Sequence, residues 1–299
     1  MLKKEGKENW GTFLVFLTAV ISGITIVVNK FFVVKIDPLI FTATRALLIG
    51  VVFFLISLFI SKATNKRFKK VSWKPLLLIG TIGGGIAFWL FFAGLKLTTA
   101  GRAAFLHKTL PIYALLLAFI FLKEKITRKH LIAMVIMLGG LILMELGNIS
   151  QGMRVGDLLV LGATILWAVE NTISKKAMIN HESNWIVTFS RMFFGAIVLF
   201  AIIFLMKKSD LLFSLTGQQI VYILISGGLL LLYVLTWYWG LRYINLSKAS
   251  TILLIAPVIS LFLGFYWLNE NILLLQLIGS FLILIGAFVV ARIKSEKRK

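Results

Sequence analysis

The chain has 299 residues, of which 60% are hydrophobic and only 14% are charged, and its mean hydropathy is +0.98. Soluble domains are typically about 45–50% apolar and about 25% charged, so this composition excludes an ordinary soluble protein, a disordered chain and a secreted disulfide scaffold. The absence of cysteine excludes thiol catalysis and cysteine-ligated zinc. The formal net charge of +21 would suggest nucleic acid in a soluble protein, but here its meaning depends on where the charges lie.

Ten stretches of roughly 20 mostly apolar residues follow one another along the chain. Because every backbone polar group must be satisfied inside lipid, a spanning segment is either a helix or a barrel strand, and continuously apolar runs favour helices. The connections are too short to form a separate domain. We therefore predict an all-α integral membrane protein with ten transmembrane helices, at residues 11–33, 38–61, 74–96, 102–122, 129–147, 155–177, 184–206, 217–241, 247–268 and 271–292.

The basic residues are distributed unevenly between the two sides of these spans. With the N-terminus inside, about two thirds of the 32 Lys and Arg fall in cytoplasmic segments. This distribution predicts a multi-pass protein of the plasma membrane with both termini in the cytoplasm. The charge then acts as a topology signal in contact with lipid, and we expect no nucleic-acid partner.

The two halves of the sequence resemble each other at an offset of 145–146 residues. Each half has five spans, and an odd number forces the second half to insert in the opposite orientation, as in many secondary transporters. We predict two inverted five-helix repeats, 1–147 and 155–292, followed by a basic tail at 293–299. Duplication for bundle stability alone is the alternative. The matched pairs include Gly11 and Gly156, Arg45 and Arg191, Gly94 and Gly240, Pro111 and Pro257, and Glu124 and Glu270.

The pattern within 94–140 joins a Gly-Leu pair, Pro111, a Lys-Glu-Lys loop and a Gly-Gly helix, and 240–286 repeats much of it. Together with the opening of the sixth helix at 162–168, it resembles the EamA domain of the drug/metabolite transporter superfamily. The resemblance implies a ten-helix secondary carrier. We expect no cofactor. The resemblance also implies a central cavity formed by helices 1, 3, 4, 6, 8 and 9, with helices 2, 5, 7 and 10 outside. Members of the superfamily move amino acids, other metabolites, nucleotide sugars or drugs.

Two polar positions inside the spans are candidate substrate sites. Glu170 is the only acid well inside a span, and buried ionisable groups in membranes are usually functional, so it is a candidate for proton coupling as well as substrate binding. The alternatives are a structural partner for an arginine and a side chain that extends to the surface near Lys175. Asn171 beside Glu170 could bind a polar substrate. Lys108, with His107, could meet a carboxylate or phosphate, or could extend to the outer headgroups.

Further candidates follow from the repeat and from aromatic positions. The symmetry of the matched arginines, Arg45 and Arg191, favours a structural or gating pair over a contact with the transported solute. Pro111 and Pro257 each remove a backbone hydrogen bond near mid-helix and are candidate hinges, or static bends. Tyr233 and Trp237 could line an amphipathic cavity, although interfacial belts also explain such residues.

Glycines and a loop acid suggest packing roles. The glycines at 83–85 and 227–228 predict close helix contacts. Glu124 is expected to complement the dipole of the helix that follows it.

The predicted function is transport of a small metabolite or drug by alternating access, with protons as a candidate coupling ion. An integral membrane enzyme or a channel is the alternative. The chain has no His-Glu-x-x-His motif and only three histidines, so a metal site is poorly supplied with ligands. Both a monomer and a homodimer remain open.

Overall fold

The computed structural model describes residues 4–33, 35–63, 71–98, 100–149, 155–268 and 271–296. Ten of its helices are long and apolar enough to cross a membrane, which confirms the predicted class of fold. Glu270, the middle of the 62–73 connection and the tail residues 297–299 lie outside the described residues, so the expectations that rest on them keep that status.

Seven spans are uninterrupted and three change their helical form. The uninterrupted ones are α1 (Lys4–Val33), α2 (Pro38–Ala63), α5 (Arg128–Ile149), α6 (Val155–Ile179), α7 (Asn184–Leu205), α8 (Gly217–Tyr243) and α10 (Leu274–Arg292). In α3 a π-helix, Ile79–Ile86, joins Trp73–Leu78 to Ala87–Leu97. The other two are α4, with segments Ala100–His107 and Leu110–Phe121, and α9, with segments Leu246–Ile252, Leu253–Ile255 and Ala256–Leu268.

The irregularities in α4 and α9 lie at matching positions of the two repeats. The first segment of α4 ends at His107, and α9 tightens to a 3₁₀ turn at Leu253–Ile255. Pro111 and Pro257 follow directly. A proline ring clashes with the carbonyl group four residues earlier, which explains why the helix is irregular on the N-terminal side of each proline.

The helices pack with an approximate two-fold relation between the repeats. The symmetry mates α2 and α7 pack against each other, as do α5 and α10. The contact of α1 with α8 has its counterpart in the contact of α6 with α3. The helices of these pairs thus make equivalent contacts in the two repeats, in agreement with the predicted inverted five-helix repeats.

Glycines matched in sequence make equivalent contacts at these interfaces. A Cβ atom on Gly94 would lie 2.7 Å from the carbonyl oxygen of Gly156, and one on Gly240 would lie 3.0 Å from that of Gly11. Small residues let helix backbones approach closely in membranes. The repeat pattern in the sequence thus reflects two equivalent backbone contacts, α3 with α6 and α8 with α1.

Close packing was also predicted at the two glycine runs, and the outcomes differ. Gly83, Gly84 and Gly85 are buried against α6 and α7, as expected. The prediction for Gly228 is wrong, because nothing lies within 4 Å of the position of its Cβ atom. For Gly227 the nearest atom is a flexible leucine methyl group at 3.3 Å. Gly227 therefore lies on the buried face of α8, next to α2, whereas Gly228 lies on its exposed face.

Candidate functional site

A cavity of about 230 Å³ lies within the bundle. Residues of α1, α3, α4, α6, α8 and α9 line it, as the resemblance implied. The helices α2 and α7 were expected to pack outside, but Arg45 from α2 and Arg191 and Met192 from α7 also line the cavity. Both arginines are long enough to extend from a peripheral helix to the centre.

Most of the candidate residues predicted from sequence meet at this cavity, and two do not. Glu170 and Pro257 do not line it. The candidates on its wall are Arg45, His107, Lys108, Pro111, Asn171, Arg191, Tyr233 and Trp237. Lys108 is only 8% exposed, so its ammonium group does not extend to the outer headgroups.

Aromatic side chains form much of the wall. The Trp167 ring lies 5.4 Å from Phe91 and 4.8 Å from the His107 ring, between centroids. His107 is therefore packed in an aromatic cluster. The sequence singled out Trp167 only as part of the segment 162–168, which carries the family resemblance.

Asn171 is held firmly by two of these aromatic residues. Its Oδ1 accepts a 2.9 Å hydrogen bond from the indole N–H of Trp237, and its Nδ2 donates to the Trp167 carbonyl oxygen at 2.8 Å. These bonds fix the amide group of Asn171, and the bond from Trp237 joins α6 to α8.

Glu170 lies behind the cavity wall. Its side chain is 0% exposed, and Oε1 accepts hydrogen bonds of 2.6 Å from both the Tyr238 and Ser174 hydroxyl groups. The other oxygen, Oε2, lies 3.3 Å from Nη1 of Arg191. The expectation that Glu170 faces the cavity directly is therefore wrong in this conformation, because its carboxylate turns to Arg191 and Tyr238. The acid can influence the cavity through Arg191.

The two matched arginines have different surroundings. Arg191 pairs with Glu170 and donates to the Tyr238 hydroxyl oxygen at 3.0 Å. Arg45 instead donates to neutral acceptors, the Ser226 hydroxyl oxygen at 2.6 Å and the Phe41 carbonyl oxygen at 3.2 Å. Within the described parts of the chain, neither Arg45 nor Lys108 forms an ion pair. The two symmetry-related arginines therefore differ in that only Arg191 has an acidic partner among the described residues.

Polar contacts join the helix ends on each side of the cavity. On the predicted cytoplasmic side, the Lys175 ammonium group donates to the carbonyl oxygens of Leu241, at 2.5 Å, and Ile244, at 2.8 Å. On the opposite side, Arg102 pairs with Asp157 at 2.5 Å. From the sequence, Lys175 was interpreted only as one of the basic residues at span ends that indicate topology.

Glu124 caps a helix of the other repeat. Its carboxylate accepts hydrogen bonds from the backbone N–H groups of Leu246, at 2.7 Å, and Ser247, at 3.0 Å, and from the Ser247 hydroxyl group. The prediction that Glu124 serves the helix that follows it is wrong, because it is the first N–H groups of α9 that it satisfies. This contact joins the end of α4 to the start of α9.

We expect Glu124→Gln to destabilise the protein by about 1–3 kcal/mol, because it removes charged acceptors from buried donors. The measurement is thermal unfolding of the purified protein in nanodiscs. Glu296→Gln is the matched control, since Glu296 is exposed and pairs with the exposed Lys125, an interaction of the kind that contributes about 0–1 kcal/mol. Equal small losses in the two variants would contradict the capping role.

Comparison with known proteins shows the family to which this chain is related. Residues 9–146 and 154–292 both match the EamA-like transporter family. "Uncharacterized transporter YoaV" of Bacillus subtilis is 29% identical over 276 residues, covering 89% of this chain and 91% of its own. Protein PecM of Dickeya dadantii is 24% identical, and the match covers 95% of this chain and 93% of PecM. Protein LicB of Haemophilus influenzae is 26% identical, and the match covers 77% of this chain and 79% of LicB.

The fold also has a counterpart among solved structures. The crystal structure of another protein superimposes on this chain with a TM-score of 0.77 and 17% sequence identity. The match covers 94% of this chain and 98% of the other. At that identity the likeness shows the fold alone. The two family matches together cover nearly the whole sequence, one in each repeat. The chain therefore belongs to the EamA-like transporter family, within the drug/metabolite transporters.

Proposed function

We propose that the protein is a secondary active transporter, not an enzyme, which moves a small metabolite or drug through the cavity by alternating access. In this proposal it lies in the plasma membrane with both termini in the cytoplasm. The observation that carries the proposal is a cavity between the two inverted repeats, lined by residues of both. Two copies of one fold inserted in opposite directions have two nearly equivalent packings, which can open such a cavity to each face in turn.

The polar contacts at the two ends supply candidate gates. Opening toward the predicted cytoplasm would break the bonds from Lys175 to the end of α8. Opening toward the opposite face would separate Arg102 from Asp157. Each set holds the ends of neighbouring helices, so breaking one set while the other stays intact would expose the cavity to one side only.

Glu170 is our candidate for proton coupling. The carboxylate pairs with Arg191, whose side chain also lines the cavity. Protonation of Glu170 would remove the negative charge and leave the guanidinium group of Arg191 free for the cavity. Proton occupancy and the charge offered to a solute would then be linked, which is what coupled transport needs.

Counterflow in proteoliposomes tests the proposed function. Vesicles that contain the protein are preloaded with each member of a panel of amino acids, sugars, organic acids and nucleotides, and entry of the labelled compound is followed. A carrier shows faster entry when the same solute is inside, because exchange avoids return of the empty protein. A channel or a membrane enzyme gives no such stimulation, and that result would refute the proposal.

For the coupling step, we expect Glu170→Gln to abolish uptake driven by a pH gradient while leaving solute exchange intact. The amide cannot take up the proton, but it keeps the shape of the side chain and accepts from Tyr238. The measurement compares gradient-driven uptake with exchange in the same vesicles, and Glu296→Gln is the control for loss of one acid. Gradient-driven uptake that persists in Glu170→Gln would exclude the coupling role.

A further inference from the structure

We propose that the transported solute is a small organic anion with an apolar or aromatic body, and that Arg45 and Lys108 hold its anionic group. This inference rests on the proposed function, because it names the class of solute for the same cavity. Three observations support it: the charges on the wall, a difference between the repeats, and the size and surface of the cavity.

The charges on the cavity wall do not balance. Arg45, Lys108 and Arg191 line it, and none of its lining residues is acidic. Arg191 is neutralised by Glu170, whereas Arg45 and Lys108, at 4% and 8% exposure, form no ion pair among the described residues. Burying a charge without a counter-charge is costly. A bound anion would supply the missing counter-charge, so the charges on the wall favour anions over cations.

The repeat shows where the missing carboxylate would be. Arg191 corresponds to Arg45, and at an offset of 145 residues its partner Glu170 corresponds to Thr25. Thr25 lines the cavity on α1, one helical turn from Asn29. The Asn29 side chain accepts a 2.6 Å hydrogen bond from Ser226, the same hydroxyl group that Arg45 binds. In the first repeat, therefore, the arginine remains and the acid is replaced by a small neutral residue facing the cavity.

The rest of the cavity limits the size and nature of the anion. Phe88, Phe91, Trp167 and Tyr233 contribute apolar and aromatic surface. A volume of about 230 Å³ is below the roughly 300–1,000 Å³ typical of sites for drug-sized ligands. The cavity thus suits a small acid with an aromatic or bulky apolar body better than a nucleotide sugar.

The first experiment measures binding to the purified protein in nanodiscs with probes matched in shape. The probes are 3-phenylpropionate, its neutral amide, phenyl phosphate and 2-phenylethylammonium, and the readout is the shift in unfolding temperature with probe concentration. We expect one or both anions to bind at least about tenfold more tightly than the amide and the ammonium compound, the tenfold step of a single charged contact. The two anionic probes separate carboxylate from phosphate recognition. Equal binding of the amide and both anions would overturn the proposal.

The second experiment introduces an acid at Thr25, the position that corresponds to Glu170. Thr25→Glu should neutralise Arg45 and weaken anion binding at least about tenfold relative to Thr25→Gln, which has the same size without the charge. Arg45→Gln and Lys108→Gln should weaken the anions and spare the amide, and Lys125→Gln, an exposed cation far from the cavity, should change neither. Anion binding equal in Thr25→Glu and Thr25→Gln would overturn the proposal even if the Arg45 variant fails to fold.

Failure of this proposal can be distinguished from failure of the proposed function. Selective anion binding without counterflow would leave the anion site intact and refute transport. Counterflow of neutral or cationic solutes that is unchanged by Thr25→Glu would support transport and refute the anion site.

Discussion

Arg191→Gln is expected to destabilise the protein by roughly 3–5 kcal/mol, the usual cost of breaking a buried pair by removing one partner. The variant leaves the Glu170 carboxylate at 0% exposure with hydrogen bonds from Tyr238 and Ser174 but no counter-charge. Glu170 cannot move away, because α3 packs against it at Gly83. The measurement is thermal unfolding in nanodiscs, converted to free energy where unfolding is reversible.

A double-mutant cycle separates the ion pair from general damage to the core. Arg191→Gln leaves the Glu170 carboxylate without a counter-charge, and Glu170→Gln removes that carboxylate. The double variant should therefore recover much of the stability that Arg191→Gln loses. Coupling of this kind is the signature of a direct interaction. A double variant at least as unstable as the sum of the single ones would contradict our account of this pair.

The second large effect is expected at the contact of α3 with α7. A Cβ atom on Gly84 would collide with the carbonyl oxygen of Arg191 and lie 2.9 Å from the Cα atom of Gly195. Both are backbone atoms and cannot rotate away, so Gly84→Ala must push the helices apart. Overpacking of this kind typically costs about 1–3 kcal/mol, and here it also displaces the residue that pairs with Glu170. We expect a lower unfolding temperature and a smaller yield of monodisperse protein.

Gly139→Ala is the matched control for this prediction. Nothing lies within 4 Å of a Cβ atom built at Gly139, which is also within a helix. The same substitution there should be neutral or stabilising by up to about 1 kcal/mol, since alanine favours helix more than glycine does. If Gly84→Ala and Gly139→Ala unfold at the same temperature and in the same yield, the close contact of α3 with α7 is not what holds this interface.

The parts of the fold that the sequence predicted are those encoded locally or by repetition. Hydropathy locates the ten spans because length and apolar character alone decide which segments enter lipid. The repeat predicted equivalent contacts because matched glycines such as Gly94 and Gly240 serve equivalent interfaces. Pro111 and Pro257 indicated irregular helices because their effect on backbone bonding depends only on the residues just before them.

The rest depends on which helices are neighbours, and a single sequence does not specify that. Glu170 was predicted to have either a coupling role or an arginine partner, but the identity of that partner, Arg191, follows from the packing of α6 against α7. Glu124 was assigned to the wrong helix because the N-terminus that it caps is more than 100 residues away in sequence. The charge imbalance at Arg45 appears only when the structure shows that its symmetry mate has an acid and it does not.

Labelling of a single cysteine from each face of the membrane is a direct test of alternating access to the cavity. The chain contains no cysteine, so Ser22→Cys on the cavity wall is a unique target for a membrane-impermeant maleimide. Rates are measured in vesicles of both orientations, for Ser22→Cys alone and with Lys175→Gln added to weaken the contacts at the predicted cytoplasmic side. We predict faster labelling from that side and slower labelling from the other. Rates that rise together from both faces would mean a continuous pore and would contradict the account.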